Sequence, residues 1–228
     1  MESLTELSNR FGSDKGTVGP GPGFGGHRYT RFYEAYLEGY RDREFSLVEI
    51  GLGVKGDRWD AKIVQGRNTG GASIKMWREY FRRARIYGLD VNECAYLNDE
   101  RTRTFVADQG NVEDLAEFVK AVPTFDVVID DGSHRPDHQQ ISLDFLFPRL
   151  TPGGLYFIED LLNNGLGDGR TGRLASDRVL NTRSVLQYYL ANDSLPEPHL
   201  LANFESWRGD VAGIDFLARD KLCVIRKS

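Results

Sequence analysis

The ten residues Phe125–His134, FDVVIDDGSH, constrain the fold more than any other stretch of this chain. Val127, Val128 and Ile129 form a short unbroken apolar run, the pattern of a strand buried on both faces of a parallel sheet. The run stops in two carboxylates, a glycine, a hydroxyl and an imidazole. Ligands of open α/β sheets sit beyond the carboxyl ends of the strands. Asp130, Asp131, Ser133 and His134 are therefore expected where chemistry is done. A second run, Gly154–Asp160 (GLYFIED), stops in the same way at Glu159 and Asp160.

The remaining chain supplies the other elements of such a sheet. Leu4–Phe11 has the pattern of a short helix, and Gly12–Gly26 is a glycine- and proline-rich loop, flexible enough to close over a ligand. Tyr29–Tyr40 places Tyr29, Phe32, Tyr33, Tyr36, Leu37 and Tyr40 on one helical stripe. That stripe is expected to pack within the domain; pairing two copies as a homodimer is its other use. Strands are predicted over Phe45–Gly51, Arg85–Val91, Thr104–Gln109 and Phe125–Asp131, with helices over Ala72–Arg83 and Val112–Ala121 between them and a helix over Pro136–Leu150 after the fourth. The last helix should turn Ile141, Leu143, Phe145, Leu146 and Phe147 inward, and Thr151–Gly154 reads as a turn. Leu161–Asn181 is glycine-rich and poor in apolar residues, a lid over the crevice in this reading. Helix Arg183–Ala191 and the strand pair Gly213–Ala218 and Leu222–Arg226 complete the chain. The expected architecture is α/β: a mostly parallel sheet with helices on both faces and an antiparallel terminal strand pair. At 228 residues it suits one such domain: a helical and loop cap over 1–44, then a domain over 45–228 with the lid at 161–181.

Gly51, Gly53 and Gly56 spell the dinucleotide fingerprint GxGxxG, which raises a nicotinamide-dependent oxidoreductase as a rival. That motif needs a helix to start at once, so that its N-terminus holds the pyrophosphate. A polar segment intervenes instead, and the next convincing helix starts near Ala72. What remains is an acid, Glu49, two residues before a glycine turn that lets a ligand approach the backbone. A non-catalytic nucleotide-binding module is a third reading.

Each of the first five strands ends in an acid: Glu49, Asp90, Asp108, Asp130/Asp131 and Glu159/Asp160. One acid serves a ribose diol; this many suit a cationic ligand or a metal. S-adenosylmethionine carries an ammonium and a sulfonium. Glu49 and the Gly51–Gly53 turn would line its methionine and ribose, Asp90 would accept from the ribose hydroxyls, and Asp108 with Gln109 would lie near the adenine. Asp130 is placed among these donor-binding groups. Asp131, Glu159 and Asp160 are oxygen ligands of the kind that Mg²⁺ or Mn²⁺ prefers. The ordinary pKa of an imidazole suits His134 to take a proton from a metal-held hydroxyl. His138, one helical turn on, is the lesser candidate, on the acceptor side.

A net charge of −5 gives no general attraction to nucleic acid or to an anionic membrane. No apolar run approaches 18 residues, and the first residues lack a signal-peptide core. Cys94 and Cys223 fit no metal or redox spacing. The expectation is a cytoplasmic protein without stable membrane association.

Several stretches together resemble a known family: EIGLG after the first strand, GGASIKMW before the first sheet helix, GLD at the second strand, DDGSH at the fourth and GLYFIED at the fifth. They are similar to metal-dependent, S-adenosylmethionine-dependent sugar O-methyltransferases, such as those of the macrolide mycinose pathway, with a Rossmann-like class I methyltransferase fold. FGSDKGT and HRYTRFYE are similar to the stretch that precedes that catalytic domain. The resemblance implies His134 as general base, Asp131 and Asp160 as Mg²⁺ ligands with Glu159 as a third, and Glu49, Gly51, Asp90 and the Asp108 region for the methyl donor. It also implies Gly71–Ser73 in the donor pocket and Tyr29 covering it. The acceptor it implies is a small sugar or oligosaccharide. A catechol-type enzyme would use a lysine base, and none lies beside DDGSH. The large N-terminal domain of the macrolide enzymes is expected to be lacking. A short form is similar to the actinobacterial enzyme acting on O1 of 3-O-methylmannosides in methylmannose polysaccharide synthesis, with an antibiotic or glycolipid deoxysugar as the alternative acceptor.

Overall fold

The computed structural model describes residues 2–19, 25–53, 70–161 and 179–228. The expected lid therefore lies almost wholly outside the described residues, as do five residues of the Gly12–Gly26 loop and most of the polar segment after Gly53. Seven strands give a mostly parallel sheet with an antiparallel terminal pair, and the chain divides into two compact units, Met1–Val106 and Ala107–Ser228.

In the first unit, helix α1 (Leu4–Phe11) starts in a capping box. Ser3 Oγ accepts from the Glu6 amide, and Glu6 Oε2 accepts from the Ser3 amide, so two orphan donors of the first turn are satisfied. Helix α2 (Thr30–Leu37) buries Tyr33 and Leu37, and Tyr33 meets Trp77 edge to face at 5.3 Å. Half of the aromatic stripe is therefore spent inside the unit. Strands β1 (Ser46–Ile50), β2 (Arg85–Asp90) and β3 (Thr102–Val106) run parallel, with Val48 opposite Tyr87 and Leu89 opposite Phe105. Helix α3 (Ala72–Tyr80) covers them with Ile74, Trp77 and Tyr80 fully buried. Strand β3 ends two residues before Asp108, short of the expected Gln109. A strand persists only while a partner takes its hydrogen bonds. Here β2 ends at Asp90, whose partner is Val106.

In the second unit, helix α4 (Val112–Ala121) is capped by Asn111, whose side chain accepts from the amides of Glu113 and Asp114. Strands β4 (Phe125–Asp130) and β5 (Leu150–Ile158) are parallel, with Asp130 opposite Ile158. The expected turn at Thr151–Gly154 belongs to β5. The pairing shifts register between Phe125 and Val127, and Gly153 takes a φ of +76°, so the extra residues are absorbed as a bulge. Helices α6 (Thr182–Asn192) and α7 (Phe204–Trp207) precede the hairpin of β6 (Val211–Leu217) and β7 (Leu222–Lys227), and β7 runs antiparallel to β5.

Helix α5 (Pro136–Leu146) departs from its expected apolar face. Leu143 and Leu146 are buried, but Ile141 and Phe145 are only half-buried, while Gln139, Gln140, Ser142 and Asp144 are inside. Each buried polar group has a partner, as it must. Gln140 donates to the Leu180 carbonyl at 2.7 Å and accepts from the Leu200 amide at 2.8 Å. Asp144 accepts from the Asn203 amide at 3.0 Å and from Trp207 Nε1 at 2.9 Å. These bonds fasten the segments on either side of α6.

Candidate active site

In the first unit, β1 delivers Glu49 fully buried, and Ser73 in the first turn of α3 donates to its Oε2 at 2.9 Å. Two of the expected donor-pocket residues are thereby in contact. Beyond β1 the chain turns through Gly51 and Gly53, with φ of +82° and +64°, which side chains rarely adopt. The Gly51 amide donates to the Leu89 carbonyl at 2.8 Å, holding the turn against the end of β2. Asp90 lies there with one oxygen accepting from the Leu52 amide and the other from the amide and side chain of Asn92, each at 2.9 Å. A carboxylate offers about four acceptor sites, so Asp90 is oriented by these bonds with capacity left for a diol. Helix α3 begins at Ala72, where the sequence put it. Tyr29 is buried and packs edge to face on His27 at 5.1 Å.

The second unit gathers Asp108, Gln109, Asp130, Ser133 and His138. Gln109 Nε2 donates to both oxygens of Asp130, at 3.0 and 3.1 Å, and its Oε1 accepts from the Ser133 amide at 2.7 Å. Ser142 Oγ donates to Asp130 Oδ2 at 2.8 Å. The Gln109 amide is engaged within this network, and the described bonds of Asp130 are to Gln109, Ser142 and the Gly132 amide. These two residues shape the loop after β4. Burial raises the Asp130 pKa, with the bonds from Ser142 and Gln109 acting in the opposite sense. Asp108 is half-exposed and closes a turn by accepting from the Gly110 amide at 2.9 Å.

His138 Nδ1 stands 3.0 Å from Ser133 Oγ and 3.8 Å from Asp108 Oδ1, and its ring lies against Gly110, where a Cβ would come within 2.6 Å of it. Burial lowers its pKa, partly opposed by the Asp137 carboxylate. The folded state thus prefers neutral His138. Its stabilising contribution is present above the ordinary histidine value of 6.5 and is lost as pH falls through that value toward the lower folded one. The His138 imidazole, followed by NMR, should titrate below 6.5, and His138→Gln should lessen the stability lost between about pH 7.5 and about pH 5.5. An unchanged loss in chemical denaturation would assign that pH dependence to other groups.

His134 and Asp160 form the remaining constellation. Both adopt left-handed backbone conformations, with φ of +57° and +54°, which cost a non-glycine residue of order 1–3 kcal/mol and cluster at functional sites. His134 Nε2 lies 3.8 Å from Asp160 Oδ2, too far for a hydrogen bond, so its lone pair is not committed there. Asp131 and Asp160 are half-buried and Glu159 fully buried, and the Glu159 amide donates to the Asp130 carbonyl at 2.9 Å. Since Asp130 pairs with Ile158, Asp131 and Glu159 follow at the same level of the two strand ends. Three carboxylates and no thiol make an oxygen donor set that fits Mg²⁺ or Mn²⁺ in its chemistry. Among the described residues no three histidine, cysteine, aspartate or glutamate side chains already converge as a metal cage.

Sequence reasoning missed groups that hold the candidate residues of each unit. Gln139 donates to the Glu159 carbonyl at 3.1 Å, Ser142 holds Asp130, and Lys15 reaches Glu49. All three are polar residues at buried positions, and only burial betrays them. No helix among the described residues is long and apolar enough to cross a membrane.

No family model matches the chain. It is 40% identical over 161 residues to 8-demethyl-8-alpha-L-rhamnosyl tetracenomycin-C 2'-O-methyltransferase of Streptomyces olivaceus, covering 71% of this chain and 38% of that protein. It is 37% identical over 159 residues to demethylmacrocin O-methyltransferase of Streptomyces fradiae, covering 69% and 36%. The chain thus spans under two fifths of these curated relatives. Among solved structures, the MycE methyltransferase from the mycinamycin biosynthetic pathway, in complex with Mg, SAH and mycinamycin VI, superposes with a TM-score of 0.74 at 28% identity. That match covers 100% of this chain and 55% of MycE. The fold is that of a class I methyltransferase.

Proposed function

We propose that this chain is an S-adenosylmethionine-dependent, metal-assisted sugar O-methyltransferase with His134 as general base. The observation that carries the reading is the His134–Asp160 pair, two strained residues at the ends of adjacent parallel strands with an imidazole nitrogen held 3.8 Å from a carboxylate oxygen. The relatives support the reading, since both are named as O-methyltransferases and one of them is named for a rhamnosyl tetracenomycin-C.

Glu49, Ser73 and Asp90 bind the methyl donor, Glu49 at its methionine end and Asp90 at its ribose. Asp131 and Asp160, with Glu159, hold the cation. A bound Mg²⁺ would supply polarisation of the acceptor hydroxyl and lower its pKa. His134 Nε2 takes the hydroxyl proton; the oxygen forms its bond to the methyl carbon as the carbon–sulfur bond breaks and its electron pair returns to sulfur. His138 contacts the acceptor, and Tyr29 helps to cover the donor. The acceptor is a sugar hydroxyl. Its finer candidates are O1 of a 3-O-methylmannoside and a deoxysugar of an antibiotic or glycolipid, and the relatives' names favour the deoxysugar.

Calorimetric titration of the metal-stripped protein with S-adenosylhomocysteine and, separately, NAD⁺ tests the donor class. Micromolar binding of the first and none of the second is expected, with Mg²⁺ leaving that preference in place. Binding of NAD⁺ alone would restore the glycine fingerprint and remove every role given above.

A further inference from the structure

Lys15 is the one fully buried cation among the described residues. It belongs to the SDKG stretch that follows α1, and its Nζ lies 3.7 Å from Glu49 Oε1, with the two side chains 1% and 0% exposed. Burying both charges is costly, and an apolar pair of similar volume is often as stable or more so. Anchoring this segment does not require the lysine. The amides of Gly26, His27, Arg28 and Thr30 donate to the carbonyls of Thr17, Asp14, Gly16 and Lys15 at 2.7–3.1 Å. Asn9 Oδ1 accepts from the Thr17 and Val18 amides at 3.0 and 3.1 Å. Gly26 packs so closely that a Cβ would lie 2.3 Å from the Gly16 carbonyl oxygen. The segment is a built support, and what it supports is a buried ammonium beside the Glu49 carboxylate. The sequence alone suggested a loop flexible enough to close over a ligand; its described part is pinned instead.

One carboxylate and one ammonium, held together behind a glycine turn, complement a ligand that carries one of each. The α-amino acid end of the methyl donor is such a zwitterion. With its ammonium on Glu49 and its carboxylate on Lys15, the four buried charges sum to zero and each meets an opposite charge. We infer that Lys15 binds the carboxylate of the donor's methionine end, so that Lys15 and Glu49 together read the intact amino acid. The inference rests on the donor assignment made above.

Three ligands separate the possibilities: S-adenosylhomocysteine, its decarboxylated analogue S-adenosyl-3-thiopropylamine, and methylthioadenosine, which lacks the amino acid altogether. A charge-assisted contact of this kind is expected to make the wild-type protein prefer the first over the second by about 10- to 100-fold. Lys15→Met should weaken S-adenosylhomocysteine by a similar factor and leave methylthioadenosine within about threefold. It should also abolish or invert the preference against the decarboxylated amine, since Glu49 is then left without its cation. Thermal melting checks the fold of the variant, and Lys15→Gln, which keeps a polar end beside Glu49, is the second variant.

Equal wild-type binding of the first two ligands would overturn the inference and leave the donor assignment standing. So would a folded variant that keeps the wild-type preference. A wild-type protein that binds none of the three would overturn the donor assignment, and the inference with it.

Discussion

His134→Ala is expected to lower turnover by about 10²- to 10⁴-fold, the usual contribution of a positioned general base, while the affinity for S-adenosylhomocysteine changes by less than about threefold. The separation follows from the proposed roles: His134 takes the acceptor's proton, whereas Glu49, Ser73 and Asp90 are the proposed donor contacts. Its ring nitrogen faces the Asp160 carboxylate at 3.8 Å. Loss of the imidazole removes the proton acceptor and leaves the donor contacts intact. Single-turnover rates with saturating donor, compared with calorimetric affinity, make the distinction. A variant that retains most of the rate would remove His134 from the chemistry. Equal losses of rate and donor affinity would make it a structural residue. The left-handed backbone sharpens the control: His134→Asn tolerates that conformation better than most residues, so it should lose the rate as alanine does.

Asp131→Ala is expected to remove activity by a comparable factor together with its dependence on Mg²⁺. The wild-type enzyme should lose activity in a chelator and regain it when Mg²⁺ or Mn²⁺ is returned; the variant should respond to neither. Asp131 immediately follows β4, and Asp160 lies just past β5, the neighbouring strand. Each supplies hard oxygen, and removing one anionic ligand from a two- or three-carboxylate site lowers the affinity for a divalent cation steeply. Wild-type turnover unaffected by chelation would end the metal reading and leave the base assignment to stand by itself. A variant that responds to Mg²⁺ as the wild type does would move the ligand role to other residues.

The sheet was legible because strand burial follows a simple pattern. Val127, Val128 and Ile129 announce a core strand by their apolarity, and the structure buries all three completely. Helix α4 was legible to the residue, with the acids Glu113 and Asp114 in its first turn. The end of β3 was not legible, because it is set by the length of β2 and not by any residue of β3. Helix α5 misled for a related reason. Gln139, Gln140 and Asp144 read as solvent-facing by type, and only their partners, 20 to 59 residues away, allow an interior position. The site divides along the same line. Acids and a histidine at strand ends are visible in one dimension, whereas the groups that orient them, Lys15 on Glu49 and Gln109 on Asp130, become visible only when the chain is folded.

The grip of α5 on the segments flanking α6 has a consequence for how the protein can diverge. Gln140 and Asp144 take hold of main-chain groups at Leu180, Leu200 and Asn203. Main-chain groups are the same whatever side chain is attached. A fixed helix can therefore keep its hold on these segments while the side chains around those anchor points change from one descendant to the next. Diversity is cheap where the backbone is held and the side chains are not.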